Sequence, residues 1–156
     1  IYKIGKWGWQ SKFAYLKAHI QNSKDALINM PPLRWENKFF FEQKKWKSLE
    51  NIESFATLLH VSKQVNAPRV ISPTVFENIT SEEQASILAG GNFDFMEAPD
   101  GYTILSLGLQ ASYKNFTFSS KVENATNLIY RDYLNRWRYY ANDLGRNYIF
   151  QLNYKF

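Results

Sequence analysis

The residues of this chain best suited to bind something lie within ten positions of one another: Arg131, Tyr133, Arg136, Trp137, Arg138, Tyr139 and Tyr140. Guanidinium groups offer forked donors to anions, and phenol and indole rings offer faces to cations and to other rings. The run therefore suits anionic or aromatic ligands such as ferric chelates. The same composition also serves a loop that simply packs on its neighbours, and the sequence leaves both readings open.

Other chemistry is sparse. There are two histidines, His19 and His60, and a metal site built on them would need loop partners such as Met96 or Glu97. The plainer reading is two unremarkable rim residues, with no metal site and no cofactor. Glu82 and Glu83 stand at a helix start, where acidic side chains favour the macrodipole, so they read as helix charges rather than as an acid/base pair. No nucleophile with a base at hand is visible, which argues against an enzyme. With no cysteine in 156 residues, disulfides and thiolate metal sites are excluded. The net charge of +5 would suit nucleic acid, but the lysines and arginines are spread along the chain instead of forming a run.

The elements that would position these residues are strands. Aromatic residues make up 17% of the chain, yet its mean hydropathy is −0.43. The longest apolar run, Phe13-Ala14-Tyr15-Leu16, is far short of the roughly 20 residues of a membrane-spanning helix. A β-barrel in lipid reconciles the two values, because only alternate residues of its wall need be apolar. Residues 147–156 show this best: Tyr148, Phe150, Leu152, Tyr154 and Phe156 share one parity against Asn147, Ile149, Gln151, Asn153 and Lys155.

Alternation predicts five more strands. Residues 102–113 carry Leu105, Leu107, Leu109, Ala111 and Tyr113 on one side, and residues 115–124 carry Phe116, Phe118 and Val122. Around residues 33–42, Leu33, Trp35, Phe39 and Phe41 alternate with Arg34, Glu36, Lys38 and Glu42, with Phe40 as an apolar intruder. Residues 43–45 read as a turn into a strand at about 46–62, where keeping Glu53 off lipid turns Ile52, Ala56 and Leu58 outward. A first strand at about 6–20 sets Trp7, Trp9, Phe13 and Tyr15 against Gln10 and Lys12. The connections alternate: 43–45 and 113–115 are short, while 21–32, 63–101 and 125–146 are long, as in outer-membrane barrels with short periplasmic turns and long extracellular loops. Within the longest loop, Thr80 or Ser81 answered by Glu83 or Gln84 predicts a capped short helix, ended by Gly90-Gly91.

The last third of the chain resembles the TonB-dependent outer-membrane receptors. Asp100-Gly101-Tyr102-Thr103-Ile104-Leu105-Ser106-Leu107 looks like the start of that family's third-from-last strand. Val122-Glu123-Asn124-Ala125-Thr126-Asn127-Leu128-Ile129-Tyr130 is similar to its V-x-N-L-x-N-x-x-Y segment, with Ala125 and Thr126 where Leu and Phe are commoner. Gly145-Arg146-Asn147-Tyr148 with Tyr154-Lys155-Phe156 is similar to its closing strand, and Leu27-Ile28-Asn29-Met30-Pro31-Pro32-Leu33-Arg34 to a Pro-containing loop of some metal and metallophore importers.

The resemblance implies an all-β fold: the C-terminal six antiparallel strands of a transmembrane barrel of about 22, with a short helix in one extracellular loop and the C-terminus in the periplasm. It also implies active import of a scarce nutrient such as a ferric siderophore or metal chelate. The implied ligand contacts are Arg131, Tyr133, Arg136, Trp137, Arg138 and Tyr139, and the implied insertion signal for the barrel assembly machinery is Tyr148, Phe150, Leu152, Tyr154 and Phe156. Further implied partners are the plug and earlier strands, held elsewhere, the TonB-ExbB-ExbD complex acting through that plug, and lipopolysaccharide with outer-membrane lipid; nucleic acid is not among them. The whole of residues 1–156 is then one barrel segment without plug or TonB box. Two other architectures compete: a complete eight-stranded outer-membrane barrel, and a soluble lipocalin-like barrel whose apolar side faces inward. Cell fractionation separates them. A membrane barrel sediments with outer membranes and migrates differently on gels before and after heating, whereas recovery in the soluble fraction would exclude it.

Overall fold

The computed structural model describes residues 1–17, 30–65, 67–90 and 93–156. In chain order the elements are β1 (Tyr2–Ile4), β2 (Trp7–Ala14), β3 (Arg34–Trp46), β4 (Leu49–Val61), β5 (Arg69–Val70), α1 (Pro73–Asn78), α2 (Ser81–Gly90), β6 (Phe93–Asp94), β7 (Tyr102–Tyr113), β8 (Phe116–Glu123) and β9 (Asn147–Tyr154). One antiparallel sheet of seven strands runs β1-β2-β3-β4-β7-β8-β9, each hydrogen-bonded to its neighbour in sequence apart from the excursion between β4 and β7. β5 and β6 form a separate parallel pair within that excursion.

The pairing register gathers the apolar parity of every strand on one face. One row across the sheet is Trp9, Phe39, Ala56, Leu107, Val122 and Tyr148; the next is Trp7, Phe41, Ser54, Leu109, Ser120 and Phe150. The face bearing Ile52, Ala56 and Leu58 is thus the apolar one. These side chains stand bare: Phe150 keeps 67% and Trp7 66% of its accessible surface. A fully buried side chain of this size gains about 1.5–3 kcal/mol, so a face holding so many exposed ones cannot rest against water.

The opposite face is polar and internally balanced. Lys12 pairs with Glu36 at 2.9 Å, Lys38 with Glu53 at 2.5 Å and Lys121 with Glu123 at 2.6 Å. Phe40 and Phe55 also lie here, each ring flat over a glycine of the adjoining strand. A β-carbon on Gly8 would come within 2.2 Å of Phe40, and one on Gly108 within 2.2 Å of Phe55. Lys38 extends over both rings, 5.5 and 4.4 Å from their centres, and Phe40 is buried while Phe55 is half-buried. The apolar intruder Phe40 therefore has a partner in the strand beside it.

The six strands expected from alternation are all present, with three differences. A seventh, β1, precedes them, because Gly5 at φ 60° lets Tyr2–Ile4 fold back on β2 through a two-residue turn. The polar run 43–45 is not a turn: Lys45 pairs with Glu50 across the ladder, and the reversal falls at Lys47-Ser48, where Lys47 takes φ 55°. The first long strand stops at Ala14, and its expected continuation from residue 18, His19 included, lies outside the described residues.

The third turn, Lys114-Asn115, matches the expectation, with Lys114 at φ 51°. A bulge at residues 50–53 of β4 sets three steps against two on β7, with Asn51 at φ 49°. Helix α2 has the expected capping box: the Thr80 hydroxyl accepts from the Glu83 N–H at 3.3 Å, and the Glu83 carboxylate accepts from the Thr80 N–H at 3.0 Å. Helix α1 adds to the expected elements, and Ser72-Pro73 is its start signal: the Ser72 hydroxyl accepts from the Val75 N–H, with proline at the first helical position.

Replacing Gly108 with valine should force Phe55 off its seat and cost about 1–3 kcal/mol. The checking measurement is the temperature at which the folded gel form converts to the unfolded one; an unchanged conversion temperature would show that the ring has room to move.

Candidate functional site

Two long excursions meet at the end of the sheet opposite the three turns, residues 62–101 and 124–146. The second is anchored at its root by two asparagines. Asn124, 2% exposed at φ 48°, accepts from the Leu128 N–H at 2.9 Å and donates to the Leu128 carbonyl at 2.8 Å. Asn127, at φ 56°, accepts from the Arg146 N–H at 2.9 Å, which ties the two ends of the loop together. Asparagine tolerates the left-handed conformation and mimics a backbone partner, which explains both positions of the V-x-N-x-x-N segment.

Beneath this loop sits the one buried apolar cluster among the described residues: Val61, Tyr102 and Ile104, with Leu59 and Tyr130 packed against it. Asp132 stands above it, ion-paired to Arg34 and hydrogen-bonded by the Tyr102 hydroxyl at 2.6 Å. Burial alone would raise its carboxyl pKa. The hydrogen bonds from Tyr102 and the Leu134 N–H, with the Arg34 charge, outweigh that and hold it below the ordinary aspartate value.

The first excursion folds as a small unit, in which β5 and β6 bracket the two helices and Phe76, Phe93 and Phe95 pack with ring centres 5.2–6.0 Å apart. Its Asp94 receives Arg138 of the second loop at 2.6 Å, with both side chains 7% exposed. The Arg138 guanidinium lies between the rings of Tyr133 and Tyr139, 4.8 and 4.6 Å from their centres, and also donates to the Tyr133 carbonyl. The Tyr139 hydroxyl donates to Asp94 at 2.7 Å; burial and this bond push its pKa up to about 12.

The structure thus divides the expected ligand residues. Arg138 and Tyr133 are buried in the joint between the loops, and Arg131 is half-buried, bonded to Asn142 at 2.7 Å and set against the Met96 sulfur. Arg136 is exposed, as are Trp137 at 70% and Tyr140 at 82%, their two rings 6.4 Å apart. Tyr139 and Tyr140 also line a cleft of about 610 Å³ shared with Pro73, Phe93, Asp94, Phe95 and Met96. A second hollow of about 450 Å³ opens on the polar face beneath the loop, lined by Glu36, Lys38, Lys121, Glu123 and Tyr130 among others. His60 bonds Thr103 at 3.0 Å on the apolar face, and among the described residues no group of three His, Asp or Glu side chains could hold a metal ion. Sequence reasoning misses Asp94, because nothing local marks a lone aspartate whose partner lies 44 positions away.

Tyr148, Phe150, Leu152, Tyr154 and Phe156 are all exposed along the apolar side of the last strand and its end, with the Tyr154 ring tilted against Phe116 at 4.8 Å and edge-on to Phe156 at 4.9 Å. No family model and no curated protein sequence matches the chain. Among solved structures it is similar to that of the copper transporter OprC, at a TM-score of 0.70 and 18% identity over 98% of this chain. The fold is that of a segment of an outer-membrane β-barrel. The chain spans 21% of the length of that neighbour. The dimensions agree: Thr103 to Tyr113 is about 33 Å of strand, or about 25 Å of height at a tilt of ~40°, matching the apolar band of such barrels. An eight-stranded closed barrel would join the outer strands, and β1 and β9 are unpaired on their outer edges among the described residues.

Replacing Asp94 with asparagine leaves the Arg138 guanidinium buried without its counter-charge, a loss of about 3–5 kcal/mol confined to the joint. Limited proteolysis should then cut within residues 124–146 much faster than in the parent, while the β-strand signal in circular dichroism stays unchanged. Equal cleavage rates would mean that the two loops are held by other contacts.

Proposed function

We propose that this chain is part of an outer-membrane, TonB-dependent active transporter that imports a scarce nutrient such as a ferric siderophore or another metal chelate. The observation that carries the reading is the sheet itself, with one face of bare aromatic rows, one of paired charges and, among the described residues, two unpaired edges. Open edges in hydrocarbon would leave backbone groups unsatisfied at several kcal/mol each, so further strands must continue the wall on both sides. The charged face then lines a lumen large enough to hold a plug, and the plug with the earlier strands is the principal partner. TonB-ExbB-ExbD would act through that plug.

In this reading the turns and the C-terminus are periplasmic, the three long loops are extracellular beside lipopolysaccharide, and the aromatic rows of the last strand are read by the barrel assembly machinery. The protein is a carrier and not an enzyme. Of the candidate ligand contacts, Arg136, Trp137, Tyr139 and Tyr140 present cationic and aromatic surface toward the outside and toward the 610 Å³ cleft. Arg131, Tyr133 and Arg138 support them from beneath. The likeness to a copper transporter favours metal uptake as the cargo class.

Cells lacking the gene, starved in turn of iron and of copper, should accumulate less of one metal supplied as its chelate. The R136A/W137A variant should lower that uptake several-fold with unchanged protein in the outer membrane. Unaltered accumulation of every chelate in the gene-deleted cells would overturn the transport reading.

A further inference from the structure

The lysines that look dispersed in the sequence are collected by the fold. The Gly5-Lys6, Lys47-Ser48 and Lys114-Asn115 turns lie at one end of the sheet, and Lys155 joins them because its N–H donates to the Asn115 carbonyl at 2.9 Å. Two lysines at this rim are neutralised, Lys3 by Glu42 at 2.8 Å and Lys45 by Glu50 at 3.7 Å. Five more, Lys6, Lys44, Lys47, Lys114 and Lys155, are exposed and have no carboxylate in ion-pair range among the described residues. Among the described residues, seven lysines and two glutamates gather at this rim, which leaves it an excess of five positive charges.

The surface beside these lysines is apolar. Lys114 lies 5.4 Å from the centre of the Tyr113 ring and Lys47 5.5 Å from that of Trp46. Tyr113 faces Phe116 across the turn, and Phe116 packs on Tyr154, next to Lys155. Ammonium groups on flexible stems, set at the border of an aromatic band, match the level at which a lipid phosphate meets its acyl chains. A soluble anion would draw on the lysines alone and would have no use for the rings.

We propose that the turn-end rim binds anionic phospholipid through Lys47 and Lys114, with the neighbouring rings taking the upper acyl chain. This rests on the outward, lipid-facing reading of the aromatic rows and on a periplasmic position for the turns, where the leaflet is phospholipid. The rim then orients the segment in the bilayer: the end carrying five unpaired cations seeks the phosphate layer, and the balanced end does not.

The test uses the protein purified from outer membranes in detergent and presented with phosphatidylglycerol, phosphatidylcholine or lipopolysaccharide, bound lipid being counted by native mass spectrometry. Phosphatidylglycerol should be retained in preference to phosphatidylcholine and should resist displacement by inorganic phosphate. The K47Q/K114Q variant should lose that preference on the order of tenfold, since each lysine at an anionic surface is worth about fivefold. The K17Q/R69Q variant, which removes the same charge at the other end of the sheet, should keep it. Equal retention of the two phospholipids, displacement by phosphate, stronger binding of lipopolysaccharide at the same lysines, or an effect of K17Q/R69Q as large as that of K47Q/K114Q would each overturn the proposal. Failure of the protein to sediment with outer membranes would instead remove the transporter reading, so the two outcomes are distinct.

Discussion

Strict two-residue periodicity, held in register across seven strands, is the constraint on which the rest of this structure depends. Because successive side chains point to opposite faces, a slip of one residue in any pair would carry Trp9, Phe39 or Phe150 to the side of the ion pairs and lysines to the side of the rings. The three two-residue turns, each with a residue of positive φ in first place, fix that register. The Phe40–Gly8 and Phe55–Gly108 contacts reinforce it, since each ring fits only where the facing residue lacks a side chain.

The two loops obey a different principle. They have little apolar core of their own; their connection to each other is polar and buried, Arg138 between two tyrosines and against Asp94, and the second loop is tied to the sheet by Asp132 between Arg34 and Tyr102. Charges withdrawn from water are costly unless every donor and acceptor is met, so such joints favour one arrangement over near alternatives. The arginine- and tyrosine-rich segment therefore combines two kinds of residue that look alike in sequence. Arg138 and Tyr133 build the platform, and Arg136, Trp137 and Tyr140 stand on it.

That division marks where sequence reasoning stops. The strands, the short-long alternation of connections and the Thr80–Glu83 cap are legible because each is a local pattern with a period or a fixed spacing. Polar stretches at strand ends are easily mistaken: residues 43–45 have turn-like composition, yet ladder pairing of Lys45 with Glu50 keeps them extended. The small β1 arm has too few residues to show a period. Which arginine is buried is invisible in the sequence, since it depends on a partner from another excursion, and the facing of β4 is settled only by the pairing of Ala56 with Phe39 and Leu107.

The irregularity in β4 carries a geometric consequence. Between Glu50 and Glu53 two residues of β4, Asn51 and Ile52, oppose the single Ala111 of β7, and an extra residue on one side of a ladder lengthens that strand locally and increases its right-handed coiling. The added coiling is therefore confined to the turn end of β4, because its pairing with β7 runs without a shift from Glu53 to Val61.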